Sequence, residues 1–140
     1  MPCSSTPVAE RYFTPAEVEA LIPRLTTIVE RVRPAHAQAT ALRQQAHDDQ
    51  RRVAMAGGSV IDREAWGARR ARIDALAREV HKGIEDLLEL GGVPKDLDLG
   101  LVDFPHRRHG EEVNLCWQYG EREIRFWHGL DEGYAARKPL

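Results

Sequence analysis

The sequence predicts an α+β domain in which a long, kinked antiparallel helical hairpin packs on a three-stranded antiparallel β-sheet. Fifteen of the 17 alanines precede residue 91, whereas six of the nine aromatic residues and seven of the 11 glycines lie in residues 91–140. Alanine-rich, glycine-poor sequence favours helices, while aromatic residues and regularly spaced glycines favour strands joined by turns. We therefore expect the hairpin at 12–92 and the sheet with a C-terminal tail at 93–140, after a mobile N-terminus at 1–11.

The first helix has a strong start signal in Thr14, Pro15 and Glu17. A capping Thr, a Pro at the first helical position and a Glu three residues after the cap form a capping box. Apolar residues then recur at helical spacing. Pro23 and Pro34 fall inside this pattern, and since each removes a helical hydrogen bond, we expect a kink or a break at both.

A second helix is predicted between two pairs of glycines. Gly57-Gly58 ends a weaker helical segment over 35–56, and Ser59 with Asp62 forms the next capping signal. Gly91-Gly92 then stops the second helix. The short connection favours an antiparallel hairpin, although the apolar spacing also fits a coiled-coil arm.

The last third of the chain holds three strand-like runs separated by turns. Centring each hairpin on its turn pairs Asp103 with Val113, and Val113 with His128. Alternation along the strands then puts Asp103 and His128 on one otherwise apolar face that covers the helices. The predicted strands are Leu97–Phe104, Glu112–Gln118 and Glu123–His128.

The opposite face of this predicted sheet carries Phe104, Cys116 and Trp127. A second apolar surface on a small sheet is typical of a subunit contact. We therefore expect a homodimer that associates through this outer face or through the helices.

The predicted register also gathers polar residues at one rim of the sheet. Histidine nitrogens and carboxylate oxygens are ligands for zinc, manganese or iron(II), and Asp103, His109 and His128 form the candidate metal set. The plainer alternative is a structural Asp103–His128 pair beside solvated histidines. The candidate rim comprises Asp103, His106, His109, His128 and Asp131.

The same rim supports a metal-free alternative, because a carboxylate beside an imidazole can act as an acid–base pair. Cys116 and Glu121 are second candidates. The sequence has no Gly-x-Ser-x-Gly elbow and no glycine-rich phosphate loop. Whether the protein is an enzyme is therefore left open, and a binding or assembly module is the leading functional hypothesis.

Composition excludes several classes of protein. The chain has 20 Lys and Arg against 22 Asp and Glu, a net charge of -2, which argues against a general nucleic-acid binder. No apolar run approaches the ~18 residues of a membrane span, and the N-terminus lacks a signal-peptide pattern. Cys3 and Cys116 are not expected to pair, and free thiols fit the cytoplasm.

The tail is the most distinctive part of the sequence. It runs KDLDLGLVDFP at 95–105, then VNLCW at 113–117, GE at 120–121, WH at 127–128 and DEGY at 131–134. With Phe13-Thr14 and Leu21-Ile22-Pro23, these motifs closely resemble the bacterial family called domain of unknown function 2203. The resemblance covers residues 12–140. It implies a small cytosolic protein and supplies no catalytic residues.

Overall fold

The computed structural model describes residues 10–57 and 61–140 and has the predicted α+β class, with two helices and one antiparallel sheet. The sheet has five strands in sequential order, so the prediction of three was wrong. Among the described residues, no helix combines the length and apolar character that a membrane span requires. The elements are α1 (Pro15–Met55), α2 (Arg63–Leu90), β1 (Val93–Asp96), β2 (Leu101–Arg108), β3 (Glu111–Gln118), β4 (Phe126–Gly129) and β5 (Lys138–Pro139).

Helix α1 begins with the predicted capping box. The Thr14 hydroxyl accepts a hydrogen bond from the Glu17 backbone N–H at 3.2 Å, and the Glu17 carboxylate accepts one from the Thr14 N–H at 2.8 Å. The helix then continues to Met55 with Pro23 and Pro34 inside it. Of the two predicted alternatives, the break is therefore wrong, and a kink at either proline stays a prediction.

The two helices pack against each other along much of their length. Arg31 donates to Asp86 at 2.9 Å, and Arg69 near the start of α2 donates to Asp49 near the end of α1 at 2.6 Å. A residue near the end of α1 thus contacts one near the start of α2, and a residue in the first half of α1 contacts one near the end of α2. Helix α2 ends at the left-handed Gly91, as predicted, whereas its N-cap is Asp62 itself, which the prediction had paired with Ser59. Ser59 of the predicted capping signal lies outside the described residues.

The register of the sheet differs from the predicted one. Asp103 pairs with Cys116 rather than with Val113, and His128 pairs with Asn114. The β2–β3 register is shifted by three residues because both strands extend to a two-residue turn at His109-Gly110. Both turn residues have positive φ, 52° and 82°, as a tight hairpin of this length requires.

Odd register shifts move side chains to the other face of a sheet. The face that covers the helices holds Val102, Phe104, Leu115 and Trp117, all in the main apolar cluster with residues of α1. Asp103 and His128 lie on the opposite face. The predicted placement of this pair against the helices was therefore wrong, although the two residues do share a face.

The outer face of the sheet is covered by the chain itself. The segment 130–139 crosses it, includes a short 3-10 helix at Tyr134–Ala136 and ends in β5 beside β4. The Tyr134 hydroxyl donates to the Gln118 side chain at 2.9 Å. The second apolar surface predicted on this face is absent, because Phe104 and Trp127 belong to the helix side.

Candidate functional site

Three neighbouring strands bring a carboxylate, a thiol and an imidazole together. Asp103 on β2 lies opposite Cys116 on β3, and His128 on β4 follows diagonally. One ligand atom from each residue lies within 4.8 Å of the others. The three residues are only 2%, 1% and 3% exposed. A buried polar cluster of this kind is costly to maintain unless its charges are compensated.

The imidazole of His128 is held in one orientation by the backbone. Nδ1 lies 2.9 Å from the carbonyl oxygen of Gly129, which can only accept, so Nδ1 carries a proton and donates it. Nε2, the other ring nitrogen, faces Asp103, whose Oδ2 is 3.0 Å away. The gap between these two atoms must hold either one proton or a cation.

The close polar partners of the Asp103 carboxylate are His128 and Cys116. Neither of its oxygens has a hydrogen bond of acceptable geometry with the described residues. Burial raises the pKa of Asp103, while the positive character of His128 and Lys95 opposes that rise. A buried carboxylate with so few well-formed hydrogen bonds calls for an explanation.

The thiol of Cys116 completes the cluster. Burial, with a smaller contribution from the Asp103 charge, raises the pKa of Cys116 to about 12, and the Arg137 guanidinium opposes the rise. Cys116 is a free cysteine. On its own it is therefore a protonated thiol at neutral pH and not an activated nucleophile, because the reactive form is the thiolate.

The cluster lines a cavity of about 110 Å³ under the segment that crosses the sheet. Asn114 adds an amide to its wall, and Lys95 and Tyr134 line it where the chain is exposed. A water molecule takes roughly 30 Å³ of liquid volume. The cavity therefore has room for an ion with one or two small ligands beside the three side chains.

The structure separates the other candidate residues from this cluster. The His106 imidazole lies on the helix side, with Nδ1 donating to the Phe13 carbonyl at 2.7 Å. His109 is exposed on the β2–β3 turn, and Asp131 is exposed after β4. Glu121 pairs with Arg137 at 3.2 Å. Of the predicted rim, Asp103 and His128 come together.

The group of described residues whose geometry could hold a metal ion contains Cys116 where the sequence-based set has His109. Cys116 was left out of that set because the predicted register put it on the opposite face from Asp103. The His109-Gly110 dipeptide was the available signal. Glycine and, less often, histidine tolerate positive φ, which favours a two-residue turn and the observed register.

The comparisons with known proteins agree with the resemblance in the sequence. A family model described as uncharacterized conserved protein (DUF2203) matches residues 11–140. The chain belongs to this family. No curated protein and no solved structure matches the chain, so the site must be interpreted from its own geometry.

Proposed function

We propose that this protein binds one divalent transition-metal ion through Asp103, Cys116 and His128, and that zinc is the ion. The observation that carries the proposal is that His128 Nε2 faces the Asp103 carboxylate at 3.0 Å, beside the Cys116 thiol, while neither carboxylate oxygen has a hydrogen bond of acceptable geometry among the described residues. A metal-bound histidine typically donates its other N–H to a carbonyl, and Nδ1 of His128 does so.

The donor set favours zinc over manganese. Sulfur, nitrogen and oxygen ligands together are typical of zinc, whereas manganese prefers oxygen donors. A bound cation would also remove the proton from Cys116, since a coordinating thiol is deprotonated. This explains why a buried thiol of high pKa lies beside a buried carboxylate.

Three protein ligands with adjacent space are typical of a catalytic rather than a structural zinc site. The cavity beside the cluster gives room for a water molecule at the fourth position. The metal-dependent enzyme of the sequence-based hypotheses is therefore favoured over the metal-free acid–base pair. In that role the ion would lower the pKa of its bound water, and the three side chains would hold and orient it.

The test is metal analysis of protein purified without an affinity tag. We expect about one zinc ion per chain, and a cobalt-substituted sample should show a thiolate charge-transfer absorption. Cys116→Ser should remove that absorption, and His128→Gln should weaken binding by more than the ~10–100-fold typical of an outer-shell loss. His109→Ala is the matched control and should bind normally. Equal metal content in wild type and His128→Gln would overturn the proposal.

The homodimeric binding or assembly module, its cytoplasmic location and the helical hairpin remain predictions. The sheet face predicted for dimer contact is covered by segment 130–139, which leaves the helices as the predicted contact surface. The paired contacts Arg31–Asp86 and Arg69–Asp49 support the hairpin. Sedimentation at micromolar concentration tests the dimer, and a monomer mass would contradict it.

A further inference from the structure

A second cavity lies between the helices, far along the chain from the strands of the metal cluster. It has a volume of about 510 Å³, and the described residues that line it belong to α1 and α2, together with Ile61. This lies within the ~300–1,000 Å³ of small-molecule sites. The helices here pack through a small separate cluster of Ala35, Ala39 and Leu76, which contains no residue of the sheet.

The rim of this groove is rich in arginine. Arg43, Arg63 and Arg70 line it, and none of the three has an ion pair within 10–57 and 61–140. Asp74 is the one acidic residue that lines it. The groove therefore offers planar guanidinium groups, which recognise phosphate and carboxylate in a bidentate manner.

The wall of the groove carries an aromatic ring. Trp66 is half-buried, and the Arg69 guanidinium lies 5.6 Å from its ring centre. Arg69 is also paired with Asp49 at 2.6 Å. This second contact fixes the guanidinium next to the indole. A flat aromatic ligand can stack on an indole beside such fixed arginines.

Two glycines inside α2 differ in what surrounds them. A side chain at Gly83 would clash with Val32, because an added Cβ would lie 2.0 Å from a Val32 methyl carbon. At Gly67 an added Cβ would meet nothing within 4 Å. Glycine weakens a helix relative to alanine, and packing explains that loss at Gly83 but not at Gly67. Gly67 lines the groove, so the space it leaves belongs to the groove.

We infer that this groove binds a nucleotide-type anion, with its planar ring on Trp66 and its phosphate on Arg43, Arg63 and Arg70. The inference is independent of the metal proposal, because none of the lining residues belongs to the sheet. The net charge of the whole chain does not oppose it, since a single phosphate needs only a local excess of arginine.

The test is titration calorimetry with ADP, adenosine and tripolyphosphate against the full-length protein. ADP should bind more tightly than either fragment, because only ADP has both ring and phosphate. Arg70→Gln should weaken ADP binding about tenfold or more, as expected for a charged hydrogen bond. Arg78→Gln is the matched control, since Arg78 is exposed on α2 outside the groove, and it should leave ADP affinity unchanged.

A second variant separates binding from folding. Gly67→Leu should fill the groove and abolish ADP binding without lowering the melting temperature, because nothing in the protein opposes the added side chain.

Three outcomes would overturn the inference. They are no ADP binding at millimolar concentration, tripolyphosphate binding as tight as that of ADP, and equal losses in Arg70→Gln and Arg78→Gln.

Discussion

Both faces of the sheet are buried, but they differ in chemistry. On the helix side Phe104, Leu115 and Trp117 are each 0% exposed, and on the other side Asp103 and Cys116 are 2% and 1% exposed. Apolar burial stabilises a fold, whereas a buried carboxylate without donors destabilises it. Burial alone therefore does not show whether a side chain stabilises the fold. The helix face supplies apolar burial, whereas the outer face buries polar groups whose cost apolar packing does not offset.

Loss of a large side chain from the helix face should have the greatest effect. Trp117→Ala should lower the free energy of unfolding by about 3–5 kcal/mol, because it leaves a cavity in the main cluster. It also removes the indole N–H that donates to the Glu121 carbonyl at 3.0 Å. Urea titration followed by circular dichroism measures this. Val93→Ala, at a site 40% exposed, should change the value by less than ~0.5 kcal/mol; similar losses in both variants would contradict the comparison.

A substitution on the outer face should separate binding from stability. Asp103→Asn should lose metal affinity, yet in chelator the free energy of unfolding should stay within about 1 kcal/mol of wild type or rise. The reason is that an amide N–H can donate to His128 Nε2, while the buried charge is removed. Removing one partner of a structural buried ion pair instead costs ~3–5 kcal/mol. A loss of that size in chelator would show that the pair is structural.

The packing of the helices above the apolar face can be tested with two glycines. Gly83→Ala should destabilise the protein by about 1–3 kcal/mol, since the added methyl group overlaps a Val32 methyl group. Gly67→Ala is the matched control in the same helix and should stabilise it by ~0.5–1 kcal/mol. Thermal unfolding measures both. The same sign in both variants would contradict the packing described for Gly83.

Charged groups on the helix surface should matter least. Hydrogen bonds from Lys82 and Arg31 hold the pKa of Asp86 below its ordinary value of 3.8. A carboxylate of lowered pKa contributes stability above its unfolded-state pKa, and that contribution is lost as the pH falls through the lower folded-state value. The urea midpoint should therefore decline below about pH 4. Asp86→Asn should flatten this decline, whereas Asp74→Asn, without an ion pair among the described residues, should not.

The sequence predicted the helices well and the sheet only in part. Thr14, Glu17 and Gly91 act locally, so their residue types were sufficient to locate helix ends. Strand pairing depends on where a turn is centred, and an error of three residues at His109-Gly110 moved Asp103 to the wrong face. The additional strands are short, and β5 forms only by returning across the sheet, which no local pattern reveals.

The candidate site shows the same limit. Asp103 and His128 lie on a common face, as predicted, even though the register was wrong. Both register errors were odd, so the two residues moved to the other face together. Cys116 could not be added to the predicted metal set, since its position opposite Asp103 follows only from the correct register. The cavity also requires segment 130–139, which forms one of its walls. The path of this segment over the sheet is set by tertiary contacts that no local sequence pattern predicts.

The position of the covering segment also sets an order of events during synthesis. The ribosome releases β1 to β4 before residues 130–139, since elongation proceeds from the N-terminus. The outer face can therefore assemble while Asp103, Cys116 and His128 are still open to solvent. An ion of the proposed kind that bound at this stage would need no path through the finished fold. Later closure of the segment over such an ion would make its release slow.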